Sequence, residues 1–588
     1  MALVFDARNP ESGCTTRFYF SLSDHQSDSP TTDSEEKSRE YLSLGLTVGD
    51  WNRMTSVSAA TLYSDLIDDS RKIFSELGHK DYSCRQVEVL VGNLAALIAN
   101  RLARSMNQVE RIPFGYSPDF STLSTLDALE LKLPNRTIAS YRLLLDDQFG
   151  EFVDYISLCM HFGNTRKRLI FFDSEESAGT EDQGRSGLMG NNSPNGKVLP
   201  AMYLALQRLL ASTSARSPIS IVITYLGRAQ EVALSLLMKQ VPALLELRPT
   251  TTEDAELKAS REPQPIHLSS YREAAMCLMG ALMPVSVLEH FDSTLRRAYS
   301  VGFSRNPTLV FTSNSYDTDD EFKVHLASAL PTASYVVGQH GNNFGISTST
   351  NICPELNASD VFLSWGWTND DAKVVPFGQL KPKIRGRLRS KLKGITVFLR
   401  DEYIGFLQGD MYGPNQKYVK SVTQFCGHLN DLGVATHLRF HHSASEKFKG
   451  EVFREIREME FVTIAETRPS IVKLLSSGMG IVFGYDSTGM LEMGSARIPF
   501  FCFAPDGIDM VREEYRQNYE ALKGAGLYSE DPHVAANLIA AWIGAPKAVR
   551  KAHLEAIDKF TDGIVSYPRN KIRRLAKILK AASASPHL

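Results

Sequence analysis

The stretch that decides the fold spans residues 394–440. "GITVFLR" (394–400) is an apolar, β-branched run of strand length. "NQKYVKSVTQFCGHLNDLG" (415–433) carries apolar residues at helical spacing and stops on a glycine, and "VATHLRF" (434–440) is strand-like again. Strand, crossover helix and strand make a βαβ unit with parallel strands. The alternation continues through "EFVTIAE" (460–466), "SIVKLLSSG" (470–478), "GIVFGYDS" (480–487), "GMLEMGSA" (489–496) and "IPFFCF" (498–503).

Working towards the N-terminus, the same rhythm recurs. "PTLVFTSN" (307–314), "ASYVVGQH" (333–340), "DVFLSWGW" (360–367) and "KVVPFG" (373–378) read as strands, with "DDEFKVHLASAL" (319–330) as a helix. Earlier still, "RLIFFD" (168–173) and "SPISIVITYL" (217–226) have strand length, beside helical patterns at 200–212 and 231–247. The basic run "QLKPKIRGRLRSKLKG" (379–394) separates the two series. The fold expected is α/β: two Rossmann-like domains facing a cleft, with an added helical N-terminal region. The divisions expected are 1–380, 394–545 and C-terminal helices over 546–588. Polar stretches at 21–40, 173–197 and 248–267 read as mobile loops.

Bulk properties narrow the class. The 588 residues are 43% hydrophobic and 22% charged with a net charge of -3, which fits a globular protein and not one that coats nucleic acid. Seven scattered cysteines without a C-x-x-C pair suggest a reducing compartment. The N-terminus has no leader pattern. The best apolar stretch, "VEVLVGNLAALIANRLA" (87–103), is interrupted by Asn93, Asn100 and Arg101 and reads as a helix within the protein. A cytoplasmic location is expected. The tail 569–588 aligns Ile572, Leu575, Ile578 and Leu579 on one helical face with six basic residues elsewhere. That face either packs on the body or makes peripheral contact with a membrane.

In open α/β sheets ligands bind beyond the carboxyl ends of strands, so the strand ends carry the chemistry. In "GQHGNNFG" (338–345) glycines let the backbone approach a ligand while Gln339, His340, Asn342 and Asn343 offer amides and an imidazole. The plainer alternative is a turn whose side chains cap their own backbone. Glu355 and Asp360 precede a strand bearing Trp365 and Trp367, whose rings would share one face and offer a stacking platform for a sugar; core packing competes with that role. "HLRFHHSASE" (437–446) ends a strand with Arg439, His441, His442 and Ser443, a set suited to an anion. "FGYDSTGMLE" (483–492) runs a strand into Ser487 and Thr488 at a helix start, with Glu492 one turn on, within reach of a ribose; a simple N-cap is the alternative. The D-x-D of "DTDD" (317–320) is read as Asp319 capping the next helix, not as a metal site.

The run from "SNSYDTDDEFKVHLA" through "GQHGNNFG" to "DVFLSWGW" resembles bacterial surface-carbohydrate transferases of capsule and O-antigen type, whose pattern is a Gln-His-Gly-Gly turn followed by an acid and a Trp-Gly-Trp strand. The resemblance covers roughly 283–503. It is related to transferases of two-Rossmann, GT-B-like fold that use CMP-activated 2-keto sugars of the Kdo and nonulosonic acid types. It implies that Gln339, His340 and Gly341 lie in the active cleft with Asp360 near. The family's second glycine is Asn342 here; GT-B enzymes that use CMP-sialic acid hold the CMP with a His-Pro and a Ser-Ser pair, and this chain has His441-His442 and Ser487-Thr488 at comparable places.

The function expected is therefore a metal-independent glycosyltransferase with no bound cofactor and a CMP-sugar as co-substrate. Its acceptor would be a surface glycan or protein. His340, Glu355 and Asp360 are the expected catalytic groups. Gln339, Gly341, Asn342, Asn343, Trp365 and Trp367 would bind the substrate, and Arg439, His441, Ser487, Thr488 and Glu492 the nucleotide. The alternatives are a UDP-sugar transferase or sugar-nucleotide epimerase of the same fold, or a non-catalytic scaffold.

Overall fold

Strands that are apolar on both faces need cover on both faces, and the computed structural model of the chain shows what supplies it. It describes residues 3–8, 15–20, 48–76, 81–109, 117–118, 130–133, 153, 156–157, 160, 170–173, 213–240 and 270–584, without 342–343, 349–350, 390, 401–414, 442–445, 466–468 and 545–546. The expected loops at 21–40, 174–197 and 248–267 and the helical pattern at 200–212 lie outside the described residues, as do Asn342, Asn343 and His442.

The first large sheet contains β1 (Ile219–Val222), β2 (Leu309–Thr312), β3 (Ser334–Gly338), β4 (Val361–Ser364) and β5 (Val374–Pro376), in the order β5-β4-β3-β2-β1 and parallel throughout. Side chains alternate between its faces. Val222, Val310, Val337 and Phe362 join the main core with the long N-terminal helices α1 (Val48–Glu76) and α2 (Cys84–Val109). Ile221, Phe311, Val336 and Leu363 face the other way.

The second sheet contains β6 (Gly394–Phe398), β7 (Thr436–Arg439), β8 (Val462–Ile464), β9 (Met479–Phe483), β10 (Phe501–Phe503) and β11 (Tyr528–Ser529). Its order is β8-β7-β6-β9-β10-β11, again all parallel. The order reverses between β6 and β9, so their carboxyl ends open a crevice of the kind that takes ligands in such sheets.

Several ties join the halves. Ser347 pairs with Val511 and Gly366 with Val565 in isolated antiparallel bridges. Ser566 N–H donates to the Trp365 carbonyl at 2.8 Å, and Gln379 N–H to the Ser566 carbonyl at 2.8 Å. Then the last helix, Lys571–Ala584, returns to the first sheet and places Leu575 and Leu579 against Phe311, Val336 and Leu363. Burying each leucine contributes about 1.5–3 kcal/mol. Lys571 Nζ donates to the Leu380 carbonyl at 2.6 Å, and Arg574 to that of Pro376 at 2.8 Å. The apolar face on which membrane contact would depend is thus packed on the protein, with Ile572 and Ile578 at its margin. Among the described residues no helix is long and apolar enough to cross a membrane.

Candidate active site

β3 delivers Gln339, His340 and Gly341 to the carboxyl end of the first sheet, yet the three have different jobs. Gln339 is fully buried. Its side-chain oxygen accepts from Trp365 N–H at 2.7 Å and from the Trp367 indole N–H at 2.8 Å, its side-chain nitrogen donates to the Gly341 carbonyl at 2.7 Å, and its backbone carbonyl accepts from the Trp365 indole at 2.7 Å. Trp365 and Trp367 are 0% and 2% exposed. They lie beyond the end of β4, not on it, and form a lock around Gln339 instead of a sugar platform. The substrate-binding expectation for Gln339 and Trp365 is corrected accordingly, since burial leaves them no face for a ligand, while Trp367 keeps an edge on a small cavity lined also by Phe344, Arg512 and Glu514. Gly345, at φ +70, completes the lock, since a Cβ there would stand 2.3 Å from the Trp367 ring.

Asp360 is also corrected. It precedes β4 and therefore lies at the amino end of the sheet, away from His340. There it accepts from Arg85 at 2.6 Å and from Tyr335 N–H at 2.7 Å, fastening α2 to the sheet.

His340 and Glu355 do come together, with a third group that the sequence reading passed over. His340 Nε2 stands 3.4 Å from Asp317 Oδ2, and Nδ1 stands 3.7 Å from Glu355 Oε2. Asp317 follows β2 on a single helical turn, Ser315–Thr318, and Glu355 opens the short helix α3 (Pro354–Ala358). Burial first, then the neighbouring Asp317 charge, holds the Glu355 carboxyl well above the usual carboxylate range, which favours its neutral form. Neither Glu355 oxygen has a hydrogen-bond partner among the described residues. Burial lowers the His340 imidazole below 6.5; Asp317 opposes this and the Lys381 ammonium adds to it. The imidazole is therefore an unprotonated base near neutrality.

Asp319 caps the following helix, its carboxylate accepting from Phe322 N–H at 3.0 Å. Asp317, two residues earlier, is free of that duty. Its position just past a strand end is the signal that could have found it. Tyr225 stands past a strand end too, after β1 at φ +58, and its ring lies 6.5 Å from that of His340. A left-handed non-glycine backbone costs about 1 kcal/mol or more and concentrates at functional sites. Lys381, from the basic connector, lies 5.0 Å above the Tyr225 ring.

The second sheet meets this cluster directly. Ser487 caps the helix α4 (Thr488–Ser495) by accepting from Gly489 N–H at 3.1 Å. A Cβ on Gly341 would be 3.4 Å from the Thr488 hydroxyl. Glu492, one turn into α4, forms an ion pair with Lys381 at 2.8 Å. Arg439 ends β7 with its guanidinium 4.8 Å above the Phe398 ring and donates to the Pro469 carbonyl at 2.8 Å. His441 follows two residues on, half-buried. At the reversal of strand order the sequence reading also missed Arg400, buried just past β6, 3.6 Å from Asp506 and stacked 4.2 Å from the Tyr418 ring.

Two parallel α/β sheets thus set an imidazole and two carboxyl groups on one side of a cleft against a helix start on the other. Residues 175–548, well over half the chain, match the LIC12162 family transferase, and the chain belongs to that family. No curated protein matches it. Among solved structures the chain is similar to the Thermobaculum terrenum O-GlcNAc transferase, at 12% identity and a TM-score of 0.29, over 90% of this chain and 99% of that one. It is similar to a UGT transferase from Siraitia grosvenorii in complex with UDP, at 10% identity, TM-score 0.33, over 62% and 100%. A third is UDP-GlcNAc 2-epimerase from Neisseria meningitidis bound to UDP-GlcNAc, at 12% identity, TM-score 0.33, over 62% and 99%.

Proposed function

We propose that the protein transfers a glycosyl group from a nucleotide-activated donor to a hydroxyl acceptor, with His340 as general base. The observation that carries this reading is His340 held between Asp317 and Glu355, within one residue of the Gly341–Thr488 contact across the cleft. In this reading Nδ1, on the Glu355 side, carries the proton. The Nε2 lone pair then faces a carboxylate, an arrangement that favours a bridging hydroxyl. An acceptor hydroxyl there gives its proton to Nε2, and Asp317 balances the charge of the imidazolium. In this reading the N–H groups at the start of α4 and the Ser487 and Thr488 hydroxyls meet the departing phosphate, without calling on a metal ion.

The donor we favour is a CMP-activated 2-keto sugar of Kdo or nonulosonic acid type. It rests on the likeness of "GQHGNNFG" and "LSWGW" to the surface-carbohydrate transferases. The acceptor is then a surface glycan or protein, and the place of reaction the cytoplasm. A carboxylate near the anomeric carbon stabilises the oxocarbenium character that CMP departure leaves, and Asp317 is the best placed.

The test is incubation with CMP-, UDP- and GDP-sugars while following nucleotide release, alongside thermal shifts with the free nucleotides. Release and stabilisation specific to CMP support the donor assignment. Release from UDP- or GDP-sugars alone replaces that donor and keeps glycosyl transfer. No release and no stabilisation by any nucleotide overturns the function.

A further inference from the structure

The helix α2 is almost wholly apolar on its buried side, and Asn93 stands out in its middle. An asparagine is a poor helix former, and a buried amide costs free energy unless it is hydrogen-bonded. Asn93 is 3% exposed, and its side-chain nitrogen donates to Asp317 Oδ1 at 3.1 Å. The other Asp317 oxygen is the one 3.4 Å from His340 Nε2. One carboxylate is therefore shared between a helix of the N-terminal region and the candidate base.

The rest of α2 is keyed to the same place. A Cβ on Gly92 would stand 2.9 Å from Pro354 Cβ and 2.9 Å from the Tyr316 hydroxyl, so only a bare backbone lets the helix come this close. Tyr316 donates to the Glu88 carbonyl at 2.6 Å, and Asn357 donates to the Glu88 carboxyl at 2.8 Å. Arg85 reaches the Ala358 carbonyl at 2.7 Å. Positions 85, 88, 92 and 93 thus face the two short helices that carry Asp317 and Glu355. Asp317 itself stands on a helix of one turn, which has little rigidity of its own.

We propose that Asn93 is a positioning residue: by holding Asp317 Oδ1 it aims Oδ2 at His340, which makes α2 part of the active site although it lies outside the residues matched to the transferase family. The role in turnover rests on His340 and Asp317 acting as the proton-handling pair; the coupling between the three residues does not.

The experiment uses the full chain with [13C]histidine. The His340 resonance is assigned by its loss in His340→Gln and titrated in wild type, Asn93→Asp and Asn93→Ser, with melting temperature as the folding control. Asn93→Asp sets a second carboxyl against Asp317, and the added negative charge raises the His340 midpoint. Asn93→Ser replaces the amide with a shorter hydroxyl and adds no charge, leaves the Asp317 charge less compensated, and raises the midpoint less. Both variants lose about tenfold or more in kcat with donor KM within about twofold, the pattern of a misaimed base. Should Asn93→Asp fail to fold, Asn93→Ser carries both readouts. A His340 midpoint unmoved in the folded variants overturns the proposal. If the wild type consumes no nucleotide sugar, the proposed function fails, and the titration alone decides the coupling.

Discussion

Gly341 and Thr488 meet across the cleft: a single added carbon on Gly341 would sit 3.4 Å from the Thr488 hydroxyl. The contact lies between the base on the first sheet and the helix start on the second. Gly341→Ala should be close to wild type. Gly341→Val should push the walls apart and lower turnover by about tenfold or more, with little change in melting temperature. Steady-state rates and thermal melts of both variants check this.

His340→Ala should abolish transfer and leave nucleotide binding intact, measured by thermal shift with the free nucleotide. The folded pKa of His340 lies below 6.5, so the unfolded chain takes up this proton first as pH falls. Its contribution to stability is present above 6.5 and is lost as pH drops towards the folded value. His340→Ala should therefore have a flatter melting profile on the acid side of 6.5.

Lys381 lowers the His340 pKa through its charge. Lys381→Met should raise that pKa and move the acid limb of the rate profile to higher pH. It also strands Glu492, its partner at 2.8 Å. Lys381→Met with Glu492→Gln should regain stability yet keep the displaced limb, which pH–rate profiles of single and double variants will show.

Glu355 has the opposite sign. Its folded pKa is raised above 4.5, so the folded protein keeps a proton that the unfolded chain releases, and stability falls as pH rises through and above 4.5. Glu355→Gln mimics the neutral acid and should melt higher than wild type at pH 8 with a smaller difference at pH 5. A wild-type advantage at pH 8 would show that the ionised carboxylate is the stable form.

Gln339→Leu should cost about 2–4 kcal/mol of stability, because it strands the Trp365 backbone N–H and the Trp367 indole in the core. Asp360→Asn should lower the melting temperature with kcat unchanged, since Asp360 anchors Arg85 at the far end of the sheet. Denaturant melts and rates per folded molecule separate these losses from catalytic ones.

The sequence by itself determined the two α/β series, because period-2 and period-3.6 patterning and turn residues are local properties. β6, β7, β8 and β10 fall inside the stretches read as strands, and so do β1 to β5, while β9 begins one residue before its stretch, at Met479. It also marked His340, Glu355, Ser487 and Thr488, since strand ends and helix starts are recognisable along the chain. Only the tertiary structure decided what each polar group faces. Asp360 and Glu355 are five residues apart and look alike in sequence, yet α3 carries one to His340 and leaves the other at the opposite end of β4. Trp365 and Trp367 turned inward because Gln339 offered both indoles an acceptor. Asn93, Tyr225 and Lys381 reach the cleft from far along the chain, through contacts that no local pattern encodes. Local propensity sets the elements; the direction of a side chain and the identity of its neighbour depend on packing between elements distant in sequence.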